Sequence, residues 1–328
     1  MNIGIYGFGA IGRLVAKVAL ERGLNIAGVV DIDPNIVGRD VGEIIGIEKL
    51  GVVVSKDPTV LANADVVIHA TTSFLDRAYP QISSVLSMGI DVVSTCETLA
   101  YPWYRYPVLA RKLDELAKSR GAAVIGTGIN PGFLLDTLTI VLASSVTIVK
   151  RIRAIRSVEA SKRRESFRRK IGIGLEAKEV EDRLRRGELT GHVGYAESVL
   201  LVADALDIQP TRVVEEQKPV IADQDIEIAG IRIAKGCCRG IMGYGAAYLG
   251  DREIIRVEFH AYVGAPEFEE ITIEGKEYSI TWRSSGTPGD LGTAAVLLSI
   301  AEKITEYPPG LLTMADIVPF KPRIQPTL

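Results

Sequence analysis

The most constraining feature of this chain is the run Tyr6-Gly7-Phe8-Gly9-Ala10-Ile11-Gly12. It follows a short apolar stretch, residues 2–6, and opens a helical pattern. The G-x-G-x-x-G spacing alone is a weak signal, and a strand before it with a helix after it makes it specific. In that setting Gly7 permits the tight turn, Gly9 lets the backbone approach a pyrophosphate, and Gly12 lets the helix lie close on the strand. With Phe8, Ala10 and Ile11 between them, free N–H groups at the helix start face anionic phosphates. The pattern predicts a dinucleotide, NAD or NADP. Asp31, at the end of the second predicted strand, is placed to accept hydrogen bonds from the adenine ribose hydroxyls. A carboxylate there repels a 2′-phosphate and favours NAD, whereas Arg39 downstream offsets that repulsion and leaves NADP open.

The rest of the first third continues the alternation. Strands are predicted at 2–6, 25–31, 51–55, 64–70, 91–95 and 122–126, with helices at 11–22, 78–88 and 108–120. The strands run apolar without alternating, as strands buried on both faces do. A parallel, doubly wound Rossmann sheet with right-handed crossovers is the α/β fold this implies. Past residue 132 the character changes. A helix is predicted at 136–145, an alternating strand at 150–157, one charged helical segment over 161–186 and another helix at 195–206. From 211 to 283 strand follows strand, with turns at Ala229-Gly230, Gly250-Asp251 and Glu274-Gly275-Lys276. This reads as a second, α+β domain on a mostly antiparallel sheet. The expected domains are 1–132 for the dinucleotide and 133–289 for substrate and oligomer contacts. A last helix at 290–305 begins a segment, 290–328, expected to return to the first domain.

Composition narrows the possibilities. A length of 328 residues suits two domains. A net charge of −3 gives no field for nucleic acid. Apolar stretches such as 64–70 and 137–149 fall short of the roughly 20 residues a membrane span needs. Met1 runs directly into strand residues, so no signal peptide is expected. Cys96, Cys237 and Cys238 form no disulfide framework, which points to a reducing cytoplasm. No metal site is expected. Asn and Gln are scarce beside Arg, Lys and Glu, a bias like that of thermophile proteins.

In an open α/β sheet, ligands bind beyond the carboxyl ends of the strands. The fourth strand ends in His69-Ala70-Thr71-Thr72-Ser73, a small polar run able to pass beside the nicotinamide ribose. The fifth ends in Ser94-Thr95-Cys96-Glu97, whose Thr95 and Cys96 are expected in the cofactor turn. The sixth ends in Gly126-Thr127-Gly128-Ile129-Asn130-Pro131-Gly132-Phe133. There Asn130 can bond the nicotinamide carboxamide, with Pro131 and Gly132 shaping the wall. Such residues also belong in turns for local reasons, and it is their convergence that points to a site. A carboxylate at Glu97 can carry a proton and stabilise a developing cation such as an iminium. It can equally serve as an acid in the first turn of a helix. A catalytic Glu97 is the expectation. Cys96 admits a thiolate reading, but that chemistry needs a basic partner, usually histidine. None of the three histidines lies near Cys96 in sequence, and a buried thiol is the expectation.

These residues carry a family resemblance. Val92-Val93-Ser94-Thr95-Cys96-Glu97, Tyr101-Pro102-Trp103 and the 126–133 run resemble the 2,4-diaminopentanoate dehydrogenases and the related natural amine dehydrogenases. Both belong to the group with a dihydrodipicolinate-reductase-like N-terminal domain. Arg169-Lys170-Ile171-Gly172, Gly191-His192-Val193-Gly194, Gly286-Thr287-Pro288-Gly289-Asp290 and Pro309-Gly310-Leu311-Leu312-Thr313 extend the likeness along nearly the whole chain. The resemblance implies NAD(P)-dependent oxidative deamination of a small amine or diamino acid, or reductive amination of a ketone with ammonia in reverse. It assigns Glu97 to amine and water exchange at the carbon that gives up hydride, and puts His192 near the substrate. Thr127, Phe133, Arg169 and Lys170 are further candidates for substrate contacts. The last two come from the cluster Lys162, Arg163, Arg164, Arg168, Arg169 and Lys170, most of which should be a solvated face paired with Glu165, Glu176 and Glu179. The His-His-x-x-Lys motif of dihydrodipicolinate reductase is missing, so that activity is not implied.

Two other occupations stay open at this level. One is a same-fold oxidoreductase acting on a hydroxy or semialdehyde substrate. The other is a dinucleotide sensor without turnover. A homodimer joined through the second domain's sheet is expected from the resemblance, since an open antiparallel sheet needs cover.

Overall fold

The computed structural model describes residues 1–318. In chain order the first stretch forms β1 (Asn2–Tyr6), α1 (Ala10–Glu21), β2 (Asn25–Val30), α2 (Val41–Ile45), β3 (Val54–Ser55), β4 (Val66–His69), α3 (Leu75–Leu86), β5 (Asp91–Ser94), α4 (Pro107–Arg120) and β6 (Ala123–Gly126). The middle contributes α5 (Thr137–Ala143), β7 (Val149–Glu159), α6 (Glu165–Lys170), α7 (Ala177–Arg185), α8 (Tyr195–Ala205) and β8 (Arg212–Ile221). It continues with β9 (Ile226–Ile228), β10 (Ile231–Ile233), β11 (Cys238–Leu249), β12 (Arg252–Tyr262), β13 (Phe268–Gly275) and β14 (Ser279–Ser284). The chain then forms α9 (Gly289–Ile304), β15 (Gly310–Leu312) and α10 (Met314–Ile317). These elements make two compact units, residues 1–133 with 288–318, and residues 134–287. The end of the segment expected to return to the first unit, 319–328, lies outside the described residues.

The first unit is built on a seven-stranded sheet in the order β15-β6-β5-β4-β1-β2-β3, with every pair parallel. β1 pairs with β2 on one side and β4 on the other, so the winding reverses at β1. Such a switch point opens a crevice at the carboxyl ends of the strands. Val66, Val67 and Ile68 are all fully buried, because both sheet faces carry helices. Val67, Val92 and Val124 pack under α3 and α4 with Leu75, Ile82 and Leu113. Ile125, on the opposite face, lines a small cavity together with Ile300 and Ile304 of α9, and α9 packs in turn on α1. Burying side chains of this size contributes about 1.5–3 kcal/mol each, which makes the sheet a stiff platform for its loops.

The second unit holds a six-stranded sheet, β14-β13-β7-β12-β11-β8, antiparallel except for the β7–β12 pair. α8 lies across β11 and β12, and α5 packs on α8 and β13. Glycine makes room for that helix. A Cβ at Gly243 would sit 2.4 Å from the Tyr195 hydroxyl, and one at Gly245 would sit 2.6 Å from the Tyr195 carbonyl. No helix among the described residues is long and apolar enough to cross a membrane.

Several local expectations are corrected. The charged segment 161–186 is not one helix, because Gly172 (φ +72°) and Gly174 (φ +85°) break it between α6 and α7. The break tucks Ile171 into the core and lets the Gly174 N–H donate to the Cys238 carbonyl at 2.8 Å. α3 starts at Leu75 instead of 78, where the Leu75 N–H donates to Thr98 Oγ1 at 2.9 Å. β15 was not legible in the apolar pattern. Its three residues extend the parallel sheet beside β6, and Leu311 N–H is held by the Asp114 carboxylate at 3.0 Å.

Candidate active site

At the glycine turn, backbone geometry settles the residue types. Gly7 has φ +96°, and a Cβ there would meet the Ala70 carbonyl oxygen at 2.5 Å. A Cβ at Gly12 would lie 2.0 Å from the Gly7 carbonyl oxygen. Gly9 differs, since a Cβ there meets nothing within 4 Å. Gly7 and Gly12 are thus required by the protein's own close packing, whereas the space above Gly9 is open for a ligand. α1 has no side-chain cap and no acid in its first turn, which leaves its N-terminal field to an external anion. The residues present therefore fit a dinucleotide pyrophosphate. Phe8 is fully buried and contributes backbone only. Its N–H donates to Asp31 Oδ2 at 2.5 Å, while Asp31 Oδ1 accepts from the Asp33 N–H at 2.9 Å. The expected ribose acid thus stands directly beside the turn with its orientation fixed. Arg39 is exposed, its carbonyl oxygen accepting the Val54 N–H at 3.0 Å. Arg13, which the sequence reading passed over, donates from Nε to the Phe8 carbonyl at 3.0 Å and adds a cation to the turn.

The loops after β4, β5 and β6 begin as a staircase. Ala70 N–H donates to the Tyr6 carbonyl (2.8 Å), Thr95 N–H to the His69 carbonyl (2.9 Å), and Thr127 N–H to the Ser94 carbonyl (2.8 Å). Each turn is thereby registered to its neighbour, and Ala70–Ser73, Thr95–Glu97 and Thr127–Gly132 gather at one end of the sheet. The Ser73 carbonyl binds the second turn to the first. It accepts from Thr98 N–H (3.1 Å), Thr98 Oγ1 (3.2 Å) and Cys96 Sγ (3.4 Å). Glu97 opens the short turn 97–99 and is half-buried.

His69 is fully buried at the end of β4 and anchors this end of the sheet. Its Nε2 lies 2.8 Å from Gln81 Oε1 on α3 and 2.9 Å from Thr71 Oγ1, and its Nδ1 lies 2.8 Å from Ser94 Oγ. Burial holds its pKa down at about 4, against an opposing hydrogen bond to Gln81, so the ring is neutral. Because Gln81 Oε1 only accepts, the ring proton sits on Nε2 and Ser94 Oγ–H donates to Nδ1. Thr71 Oγ–H also donates to Gln81 Oε1, at 2.6 Å, and Ser94 Oγ accepts the Cys96 N–H at 3.1 Å.

Other candidates are placed differently than expected. Cys96 is fully buried, and burial with the neighbouring Glu97 charge pushes its thiol up to about 12. Its side chain packs in the core, which leaves only the Cys96 backbone to take the part expected of it in the cofactor turn. Thr127 is also buried, its hydroxyl donating to Met314 Sδ at 3.2 Å. Asn130 precedes Pro131 through a cis peptide, and Gly132 (φ +125°) packs against Gly128 N. Thr72, Asn130 and Phe133 are half-buried, while Pro131 is buried.

In the second unit His192 is buried between Tyr195 (ring centroids 4.6 Å) and Phe259 (4.5 Å). Its backbone N–H donates to Gln217 Oε1 at 3.1 Å. Burial, then the positive charges of Lys170 and Arg156, hold its pKa well below the usual range. Lys170 also lies over the Phe167 ring at 5.8 Å. Arg169 instead points outward and pairs with Glu165 one helical turn back. Arg156 was missed, although period-two alternation puts it on the same face of β7 as buried Ile152 and Ala154. It is 2% exposed, ion-paired with Glu269 at 3.3 Å, and donates from Nη2 to the Thr287 carbonyl at 2.8 Å. Among the described residues no group of histidine, cysteine and acidic side chains could hold a metal.

Comparison with known proteins gives two family matches. Residues 133–324 match the 2,4-diaminopentanoate dehydrogenase C-terminal domain, and residues 1–95 match the N-terminus of dihydrodipicolinate reductase. The chain is 29% identical to 2,4-diaminopentanoate dehydrogenase of Acetoanaerobium sticklandii over 328 residues, covering 95% of this chain and 92% of that protein. It is 42% identical over 94 residues to 4-hydroxy-tetrahydrodipicolinate reductase of Archaeoglobus fulgidus, covering 28% of this chain and 35% of that protein. Among solved structures, the amine dehydrogenase from Mycobacterium smegmatis superposes with a TM-score of 0.85 at 24% identity, over 100% of this chain and 97% of that one.

Proposed function

The chain belongs to the 2,4-diaminopentanoate dehydrogenase C-terminal domain family, and on that premise we propose that it is an NAD(P)-dependent amine dehydrogenase. It removes the amino group oxidatively from a small amine or diamino acid of the 2,4-diaminopentanoate kind. Amine, NAD(P)+ and water give ketone, ammonia, NAD(P)H and a proton. A bound nicotinamide would supply the hydride acceptor, and the protein supplies position and electrostatics.

The observation that carries this reading is the gathering of three strand-end turns beside the glycine turn, with a half-buried carboxylate, Glu97, on the middle one. Gly7, Gly9, Ala10, Ile11 and the α1 N-terminus receive the pyrophosphate, and Asp31 receives the adenine ribose, which favours NAD over NADP. Ala70, Thr71, Thr72 and Thr95 line the nicotinamide ribose, and Asn130 with Pro131 its carboxamide. Glu97 moves protons at the amine-bearing carbon and stabilises the iminium cation as it forms. Phe133, His192 and Lys170 serve the substrate, with Lys170 the cation that suits a carboxylate. Support for a homodimer comes from the second unit's sheet, whose edge strands β8 and β14 carry many exposed residues. Buried, unpaired Cys96 and Cys238 support a reducing, cytoplasmic setting.

The test is formation of NAD(P)H and ammonia with 2,4-diaminopentanoate, run beside simple amines, hydroxy acids and semialdehydes. Equal amounts of the two products, with kcat reduced about 10²-fold or more by Glu97→Gln and cofactor affinity unchanged, support the reading. Turnover of a hydroxy or semialdehyde substrate without ammonia dependence moves the protein to another substrate class. Cofactor binding without turnover of any of them makes it a sensor. Light scattering that gives one chain per particle at micromolar concentration removes the dimer.

A further inference from the structure

His69 and Gln81 belong neither to the glycine turn nor to the proton chemistry assigned to Glu97, yet they connect the two. The other three residues of β4 are Val66, Val67 and Ile68, all fully buried. An imidazole in such a strand costs several kcal/mol unless it is hydrogen-bonded, so its partners matter. Each lies on a different element. Ser94 ends β5 at the start of the Thr95–Glu97 turn, Thr71 lies in the turn after β4, and Gln81 sits on α3. The Thr71 turn in turn rests on the glycine turn, since a Cβ at Gly7 would meet Thr71 Cγ2 at 2.7 Å.

We propose that His69 is a positioning residue: through Ser94 on one ring nitrogen and Gln81 with Thr71 on the other, it fixes the Thr71 and Glu97 turns against the glycine turn. The proposal rests on the amine dehydrogenase reading for what those turns hold. Its physical content is a single polarity. The Cys96 N–H donates to Ser94 Oγ, Ser94 Oγ–H donates to His69 Nδ1, and His69 Nε2–H donates to Gln81 Oε1. Thr71 Oγ–H closes the chain on the same acceptor. On the Ser94 side the groups are buried, so the Glu97 turn cannot rotate without leaving a buried donor or acceptor unmet, while exposed Thr71 is held by its bond to Gln81 Oε1. The ring keeps one proton and both its nitrogens are committed, so its action is geometric and not that of a proton relay. Placement of this kind controls rate, because a shift of about 1 Å in a reacting group can cost about 10²-fold.

The decisive position is Gln81, half-buried on α3, where a change disturbs the core least. Gln81→Met keeps the shape and removes the acceptor, whereas Gln81→Glu keeps an acceptor for both donors. His69→Leu removes the hub itself. The dissociation constants of NADH and NADPH, read by nicotinamide fluorescence, and the steady-state constants would be measured for the full chain with each change. Gln81→Met and His69→Leu are expected to weaken cofactor binding or lower kcat/KM about tenfold or more, with Gln81→Glu within about twofold of the starting protein. The proposal is overturned if Gln81→Met keeps all constants, even with a lower Tm, because the network is then structural alone. It is overturned equally if Gln81→Glu falls as far as Gln81→Met. Failure of the unaltered protein to bind either dinucleotide instead defeats the amine dehydrogenase reading, and the proposal with it.

Discussion

Cys96→Ala separates two chemistries that the sequence alone allows. If Cys96 were a nucleophile, its loss would abolish turnover. The structure assigns it no such part. The thiol is fully buried, donates to the Ser73 carbonyl at 3.4 Å, and has its pKa pushed up to about 12 by burial and then by the Glu97 charge. At pH 7.5 a pKa near 12 leaves about three thiolates in 100,000, against about one in ten for an exposed thiol near 8.5. Alkylation, which follows the thiolate, should therefore be roughly three-thousandfold slower than at a free cysteine, before burial slows it further. Removing the sulfur leaves a small cavity and loses weak hydrogen bonds, at about 1–2 kcal/mol, read as a Tm lower by about 2–8 °C. Amine turnover should stay within about threefold, since only a rate factor of ten requires 1.4 kcal/mol at the transition state. The assay is iodoacetamide labelling followed by peptide mass spectrometry, with half-exposed Cys237 as the internal control. Activity is measured on the same samples. Rapid labelling of Cys96 with parallel loss of activity, or an inactive but folded Cys96→Ala protein, would mean that the thiol acts as a nucleophile.

Two further outcomes follow from the same geometry. Burial holds His69 neutral to about pH 4, whereas in the unfolded chain it protonates near 6.5. The unfolded state therefore binds more protons between those values, and stability should fall as pH drops from about 6.5 to 4, by up to about 3 kcal/mol from this group. His192, depressed by burial and then by Lys170 and Arg156, pulls the same way. Urea unfolding across that range, repeated on His69→Leu, should show a shallower slope in the variant, and a flat profile in the unaltered protein contradicts the assignment. At the glycine turn, a Cβ at Gly12 would lie 2.0 Å from the Gly7 carbonyl oxygen, so Gly12→Ala must displace α1 from the turn. NADH affinity should fall at least about tenfold with a lower Tm, while Gly9→Ala, with open space around its Cβ, should keep the Tm and lose affinity only. Equal affinity in Gly12→Ala and the unaltered protein would mean that the turn does not hold the phosphates.

Features whose cause is local can be read directly from the order of residues. Gly7 and Gly12 are legible because only glycine survives the positive φ and the 2.0 Å approach found there. The buried parallel sheet is legible because Val66, Val67 and Ile68 have no polar face to alternate with. The fold class and the family resemblance rest on such signals. Other features depend on side chains that folding brings together from distant positions. His69 meets Ser94 and Gln81 from two other elements, and no spacing rule links the three. Arg156 finds Glu269 across paired strands β7 and β13, while Arg151 and Arg153 on the same strand stay half-exposed or exposed. Cys96 admits a thiolate reading by residue type alone, and the layer around it makes it inert, burial first and the Glu97 charge second pushing its thiol up to about 12. Backbone conformation is written into short runs of residues, but desolvation and hydrogen-bond partners exist only once the chain has folded.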